Sequence, residues 1–145
     1  MTDTATLTPF TVRVRYAECD AWGELQLSQW HALFDAALAH AMGLLGIDWR
    51  QATHPAQALR PAGSRLAVAA TAGYDDELEF TLAGAGVQGE GLGVELVARR
   101  AGGGPVLARC GLDFANRGGT LAARPLPAEL VRALARLPAS QAAAA

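Results

Sequence analysis

One long amphipathic helix constrains the fold of this chain more than any other feature of its sequence. From Gln29 onward the apolar residues follow a single helical stripe, with Ser28 placed as the N-cap and Gly46 just past the end. The stripe consists of Trp30, Leu33, Phe34, Ala37, Leu38, Ala41 and Leu45. We therefore predict one long, well-buried helix in the first part of the chain.

The segments on either side of this helix show the alternation of β-strands. Residues 10–16, Phe-Thr-Val-Arg-Val-Arg-Tyr, alternate strictly and predict a first strand with its apolar side chains on one face. Four later segments, 65–72, 78–87, 92–101 and 106–115, also resemble strands and are separated by turn-forming residues. Because their connections are short, these strands are predicted to form an antiparallel meander.

Shorter segments complete the predicted order of elements. Residues 47–61 show little periodicity and are predicted to be a connection that includes a short strand near Ala58. Residues 127–137 predict a short amphipathic helix, and residues 1–8 and 138–145 are expected to be flexible ends. The predicted fold class is α+β, with an antiparallel sheet of about five strands wrapped around one long helix.

Composition and charge narrow the possible functions. At 145 residues and 15.0 kDa the chain is long enough for one domain, predicted to span residues 1–145. A net charge of −2 and scattered arginines provide no basic field for a nucleic-acid backbone, which argues against nucleic-acid binding. No secretory signal and no apolar stretch near the ~20 residues that span a bilayer are found, so we expect a cytoplasmic protein without a membrane partner. Cys19 and Cys110 show no metal-binding or disulfide spacing, and no metal site is predicted.

The stretch between the first strand and the helix carries the strongest candidate for chemistry. Asp20 lies in Tyr16-Ala17-Glu18-Cys19-Asp20-Ala21-Trp22-Gly23, a glycine-punctuated turn directly ahead of the helix. A carboxylate there is suited to nucleophilic or acid/base work, and free N–H groups at the helix start could stabilise an oxyanion. The residues alone also allow a solvated turn residue, with Glu18 as a rival acid and Cys19 as a packing residue.

Three stretches of sequence carry a resemblance to a known family. The first runs from Cys19-Asp20-Ala21-Trp22-Gly23 through Trp30-His31-Ala32-Leu33-Phe34-Asp35-Ala36-Ala37 to Gly46-Ile47-Asp48-Trp49-Arg50-Gln51. The others are Tyr74-Asp75-Asp76-Glu77-Leu78-Glu79-Phe80 and Leu126-Pro127-Ala128-Glu129-Leu130. In this order they resemble the hotdog fold of acyl-CoA thioesterases, especially the 4-hydroxybenzoyl-CoA thioesterase family. The resemblance covers nearly the whole chain.

The resemblance implies how the thioester would be attacked. Asp20 would be the catalytic carboxylate, acting either as a nucleophile on the thioester carbonyl or as a general base for water. The backbone N–H groups of Leu27 and Ser28 would be the oxyanion donors. Gly23, which has no Cβ, would leave room for a closely packed thioester.

The resemblance also implies how the substrate is held. Trp30 belongs to a helix of which one edge would line an acyl site, and Asp35 matches the position of an acid near the ring hydroxyl of a hydroxybenzoyl substrate. Gln88-Gly89-Glu90 replaces the basic run that holds coenzyme A phosphates in relatives. Arg65 is the candidate replacement, with Arg60, Arg99 and Arg100 as further arginines to consider.

The expected partners follow from the same resemblance. The substrate would be an acyl-CoA or aroyl-CoA, hydrolysed without metal or organic cofactor in a site between two protomers. The chain would form a homodimer that assembles into a homotetramer.

Other functions stay open on the sequence. Without the basic run, the donor could be an acyl carrier protein, or the chain could bind an acyl group without cleaving it. A hydratase or dehydratase would need a histidine and an acid that converge on the substrate, and His31 is the only candidate.

Overall fold

One long helix packs against a five-stranded antiparallel sheet, which confirms the predicted α+β class. The computed structural model describes residues 7–52, 59–88, 90–117 and 126–137. The elements are β1 (Phe10–Arg13), a 3₁₀ turn (Tyr16–Glu18), α1 (Leu27–Leu44), α2 (Trp49–Ala52), β2 (Leu59–Val68), β3 (Glu77–Gln88), β4 (Gly91–Arg100), β5 (Ala108–Asn116) and α3 (Ala128–Leu134).

Helix α1 begins earlier than its apolar stripe suggests. The carbonyl of Gln26 accepts hydrogen bonds from the N–H groups of Gln29 (2.9 Å) and Trp30 (3.0 Å), so Gln26 is the N-cap. The prediction of Ser28 as the N-cap was wrong, because Ser28 already lies inside the first turn. The predicted end is confirmed: Gly46 follows the helix with φ +78°, and the N–H of Ile47 donates to the carbonyl of Met42 (2.9 Å), which is a Schellman motif.

An aromatic cluster fixes α1 on the sheet. Trp30, Phe34 and Phe80 of β3 are each no more than 1% exposed. The Phe34 and Phe80 rings meet edge to face with their centroids 5.0 Å apart, and the Trp30 ring stacks on Phe34 at 6.1 Å. Burial of one such side chain stabilises the fold by about 1.5–3 kcal/mol, so this cluster is a main anchor of the helix.

The strand order of the sheet is β1-β3-β4-β5-β2. Strands β3, β4 and β5 form the predicted meander, but β2 does not pair with β3. It pairs instead with β5 at the opposite edge, from Leu59↔Asn116 to Val68↔Ala108. The meander prediction was therefore wrong for β2, because residues 69–76 carry the chain across the end of the sheet rather than into a hairpin.

The bounds of two strands also differ from the predictions. β2 begins six residues before the predicted 65–72 segment and ends at Val68, with an irregularity between Pro61 and Gly63. Most of its residues are exposed on both faces of this edge strand, so they give no alternation that would mark its start. Ala58, near which a short strand was expected, lies outside the described residues. The first strand ends at Arg13 because the chain then turns into the 3₁₀ segment, where the Glu18 carboxylate accepts a hydrogen bond from the Arg15 N–H (2.8 Å).

The remaining elements are short. Helix α3 occupies the middle of the predicted 127–137 segment and buries Leu130 and Leu134, whereas α2 was not predicted. Most of the expected flexible ends, residues 1–6 and 138–145, lies outside the described residues. No helix in the described ranges is long and apolar enough to cross a membrane.

Candidate active site

Asp20 shapes its own loop. Its Oδ1 atom accepts hydrogen bonds from the backbone N–H groups of Trp22 (2.9 Å) and Glu24 (3.1 Å). Its backbone closes the same turn, since its N–H donates to the Glu24 carbonyl (2.8 Å) and its carbonyl accepts from the N–H of Gly23 (3.1 Å). Gly23 has φ +76°, which a residue with a side chain rarely adopts. The turn-residue interpretation of Asp20 is therefore correct for Oδ1.

The second carboxylate oxygen of Asp20 is differently placed. Within the described ranges Oδ2 has no hydrogen-bond partner, and the residue is only half-buried. One oxygen thus fixes the orientation of the carboxylate while the other is available to a ligand. A carboxylate held in this way can attack an electrophile or accept a proton from water without first breaking the turn.

The side chains of the neighbouring acid, Glu18, and thiol, Cys19, both contact Arg15. Glu18 is 6% exposed, and its Oε1 accepts hydrogen bonds from the N–H (2.8 Å) and Nε (3.2 Å) of Arg15. The thiol of Cys19 faces the Arg15 carbonyl at 3.6 Å. Burial raises the pKa of the Cys19 thiol, and the negative charges of Asp20, Glu18 and Asp76 raise it further. Cys19 is therefore a neutral thiol at neutral pH, which does not favour it as a nucleophile.

The start of α1 presents free amides next to this loop. Gln26 joins loop and helix, because its N–H donates to the Glu18 carbonyl (3.0 Å) and its side-chain Nε2 donates to the Cys19 carbonyl (3.0 Å). The next two N–H groups, of Leu27 and Ser28, have no acceptor in the described part of the chain. Both residues are exposed, so these N–H groups are at the surface where a carbonyl oxygen could approach.

A segment far along the sequence supports the Asp20 loop from outside. The N–H of Leu25 donates to the Ala72 carbonyl (2.8 Å), and Glu24 forms an isolated β-bridge with Gly73. A Cβ on Gly73 would lie 3.2 Å from the Gly23 carbonyl oxygen, so the two backbones approach closely. This contact was not predicted from the sequence, although a turn was predicted in the same region at Tyr74-Asp75-Asp76.

Exposed aromatic side chains surround the same loop. We call Tyr16, Trp22 and Tyr74 the aromatic rim; they are 80%, 84% and 62% exposed. The rings of Tyr16 and Tyr74 meet edge to face at 6.0 Å. Leu27, at the helix start, is 63% exposed. Large apolar side chains in such a group are typical of a surface that meets a ligand or another protein.

A cavity of about 550 Å³ lies farther along α1. His31, Ala32 and Asp35 form its helix side, and residues 61–64 of β2 with 112–114 of β5 form the other side. Its volume is in the range of small-molecule sites. His31 and Asp35 make neither a hydrogen bond nor an ion pair with each other, so both polar side chains are available to the cavity.

The other two sequence-predicted residues lie apart from the loop. Trp30 is 1% exposed, with its ring inside the aromatic cluster of the core. Arg65 is on the sheet face opposite α1, since its neighbour Leu66 packs against the core. Its guanidinium lies across Gly111 and 3.6 Å from Asp113. The structure thus brings together Asp20, Gly23, Leu27 and Ser28, and it places Asp35 at the cavity.

Metal ligation finds no support in the geometry. Across the described ranges, no three His, Cys, Asp or Glu side chains converge as a metal site would require. The chemistry available at the loop is that of one carboxylate and a pair of backbone N–H groups.

The fold is that of the hotdog thioesterases. A 1,4-dihydroxy-2-naphthoyl-CoA thioesterase from Synechocystis has a similar structure, with a TM-score of 0.80 at 16% identity over 88% of this chain and 94% of that one. A gentisyl-coenzyme A thioesterase has a TM-score of 0.76 at 16% identity, over 88% of this chain and 99% of that one. A variant 4-hydroxybenzoyl-CoA thioesterase complexed with 4-hydroxybenzoyl-CoA has a TM-score of 0.75 at 19% identity, over 88% of this chain and 97% of that one. No family model and no curated protein matches the sequence itself.

Proposed function

We propose that this protein is a thioesterase that hydrolyses an acyl-CoA or aroyl-CoA to the free acid and coenzyme A. The observation that carries the proposal is that only one of the two oxygens of the Asp20 carboxylate takes part in the hydrogen bonds of the loop. One oxygen is fixed by the Trp22 and Glu24 amides. Among the residues that the structure describes, the other oxygen has no hydrogen-bond partner, and the N–H groups at the start of α1 have no acceptor. The likeness in fold to three enzymes with this activity supports the same conclusion.

Two routes use the same arrangement. In the nucleophilic route, Asp20 Oδ2 bonds to the thioester carbonyl carbon, the C–S bond breaks, and coenzyme A leaves as a thiolate that takes a proton from solvent. Water then hydrolyses the resulting anhydride and restores the carboxylate. In the general-base route, Asp20 takes a proton from a water molecule that attacks the carbonyl directly; the C–S bond then breaks, and Asp20 returns the proton to the departing thiolate. In both, the Leu27 and Ser28 N–H groups stabilise the oxyanion.

The acyl group that fits best is a hydroxyaryl group. The cavity beside α1 combines apolar walls, such as Ala32 and Phe114, with the polar side chains of His31 and Asp35. A carboxylate can accept a hydrogen bond from a ring hydroxyl, and an imidazole can accept or donate one, whereas an alkyl chain has no such hydroxyl. The three similar enzymes are named for hydroxylated aromatic acyl groups, which agrees with this choice.

The proposed enzyme is a cytoplasmic homodimer that assembles into a homotetramer, with its site between protomers. Strand β2 supports this assembly, because it is an edge strand with one unpaired side and few buried residues. Arg65, which lies on β2, would then reach coenzyme A phosphates bound across the dimer rather than within one chain.

Release of free thiol from a panel of thioesters tests the proposal. We expect Asp20→Asn to lower kcat by about a hundredfold or more, because the amide oxygen can still accept the two turn hydrogen bonds but cannot attack or take a proton. Glu24→Gln, a change of the same kind in the same loop, is the matched control and should retain wild-type turnover. Hydrolysis by Asp20→Asn at close to the wild-type rate would contradict the catalytic role.

A non-catalytic acyl-binding protein, including one that acts with an acyl carrier protein, is the second candidate. The observation in its favour is that Asp20 already has a structural role through Oδ1. Tight binding of a thioester that is never cleaved would favour this function, whereas turnover of any panel member would exclude it.

A further inference from the structure

The tip of the Asp20 loop is not held in place by packing, although Cys19 and Leu25 on either side of it pack against the core. Ala21, Trp22, Gly23 and Glu24 are all exposed. The hydrogen bonds within the loop give it a shape, but a shape alone does not locate the carboxylate relative to the amides of α1. Its location is set by contacts with its neighbours, among them those with Ala72 and Gly73.

Asp76 fixes the segment that makes these contacts. Its Oδ2 accepts a hydrogen bond from the N–H of Gly73 (2.8 Å), and its own N–H donates to the Gly73 carbonyl (3.1 Å). Gly73 is the residue whose backbone approaches Gly23 so closely that a Cβ would not fit comfortably. A shift of Asp76 would therefore move Gly73, and Gly73 would move the loop.

Arg100, the last residue of β4, holds both ends of this segment. Its Nη2 donates to the Thr71 carbonyl (3.2 Å) and lies 3.5 Å from Oδ2 of Asp76. We propose that Arg100 and Asp76 are a positioning pair that holds residues 71–76 against the Asp20 loop and thereby sets the Asp20 carboxylate for attack. The consequence for catalysis rests on the proposed thioesterase function; the effect on the loop does not.

Because Arg100 and Asp76 are partly exposed, their proposed positioning role can be distinguished from a contribution to the stability of the fold. The side chains of Arg100 and Asp76 are 53% and 34% exposed, and ion pairs this open add little to the free energy of unfolding. Catalysis is far more sensitive, because a displacement of about 1 Å at a reacting group can lower the rate a hundredfold. Loss of the pair should thus impair the reaction without unfolding the protein.

Hydrogen exchange at the loop tests the positioning directly. In Arg100→Leu, we expect the amides of Glu24 and Leu25 to exchange at least about tenfold faster than in the wild type. Arg100→Lys keeps a cation that can reach either acceptor and should restore most of the protection. Arg109→Leu is the matched control: Arg109 is 57% exposed, lies on β5 and faces Glu95 at 3.9 Å, away from the loop. Unchanged exchange in Arg100→Leu would overturn the proposal, whatever reaction the protein catalyses.

Thioester kinetics with the same variants test the consequence. We expect kcat to fall at least tenfold in Arg100→Leu with KM within about threefold, and the melting temperature to stay within a few degrees of the wild type. An increase in KM at unchanged kcat would assign Arg100 to substrate phosphates and overturn the proposal. If the wild type hydrolyses no thioester, the proposed function fails, and the exchange experiment still decides whether Arg100 positions the loop.

Discussion

At the scale of single residues, the candidate site depends on how a few polar atoms are shared. One carboxylate oxygen of Asp20 accepts the hydrogen bonds of the turn, and the other faces the surface. The Oε1 atom of Glu18 accepts hydrogen bonds from Arg15. Asp20 could be identified from the sequence as the candidate catalytic carboxylate because the loop, its glycine and the following helix are contiguous. The contact of Gly73 with the loop, and those of Arg100 with Thr71 and Asp76, could not be predicted, since they join residues distant in sequence.

Cys19 gives a prediction at this scale. Because burial and three neighbouring carboxylates raise the pKa of its thiol, the reactive thiolate forms only at a pH above that of an ordinary cysteine. We therefore expect iodoacetamide to modify Cys19 more slowly than glutathione at pH 7.5, with the rate still rising at pH values where glutathione has levelled off. Mass spectrometry of the modified peptide measures both rates. Faster reaction than glutathione at neutral pH would show an activated thiol instead.

At the scale of elements, the periodic segments were predictable and the edge of the sheet was not. Helix α1 and strands β3, β4 and β5 each bury one face, and burial is what produces a regular apolar pattern. Strand β2 is exposed over most of its length and contains Pro61, so its residues carry no such pattern. Its place beside β5 is set by pairing with a partner distant in sequence, which no local signal encodes.

The end of α1 offers a paired test at the element scale. Gly46 has φ +78° and Gly43 lies within the helix, and a Cβ at either would meet no atom within 4 Å. We expect Gly46→Ala to lower the free energy of unfolding by about 1 kcal/mol through backbone strain. Gly43→Ala should raise it by up to about 1 kcal/mol through helix propensity. Urea denaturation of both variants provides the measurement, and a change of the same sign in both would contradict the assigned C-cap.

At the scale of the whole molecule, the single chain leaves apolar and hydrogen-bonding surface uncovered. The aromatic rim stands around the Asp20 loop, and β2 has one unpaired side along the sheet edge. Either surface alone would be a liability for a monomer, because exposed edges pair readily with other chains. Both are accounted for if a second copy covers them.

Sedimentation equilibrium tests this assembly. We expect a mass of two or four times the 15.0 kDa of one chain, and a fall in thioesterase activity per chain on dilution below the dissociation constant. The dilution effect is expected because the site proposed to lie between protomers would be lost when they separate. A stable monomer that keeps full activity would contradict both the dimer and the shared site.

The position of β2 has a consequence for how the molecule acquires its structure. The turns that join β3, β4 and β5 bring neighbours in sequence together, so this part can form early. Strand β2 must wait for β5, since all of β3 and β4 is synthesised between them and a long loop has to close first. Strand β2, which can dock only after β5 has formed, is also the strand proposed to meet the second copy. The proposed interface would therefore become available only to chains in which β5 has formed and has paired with β2.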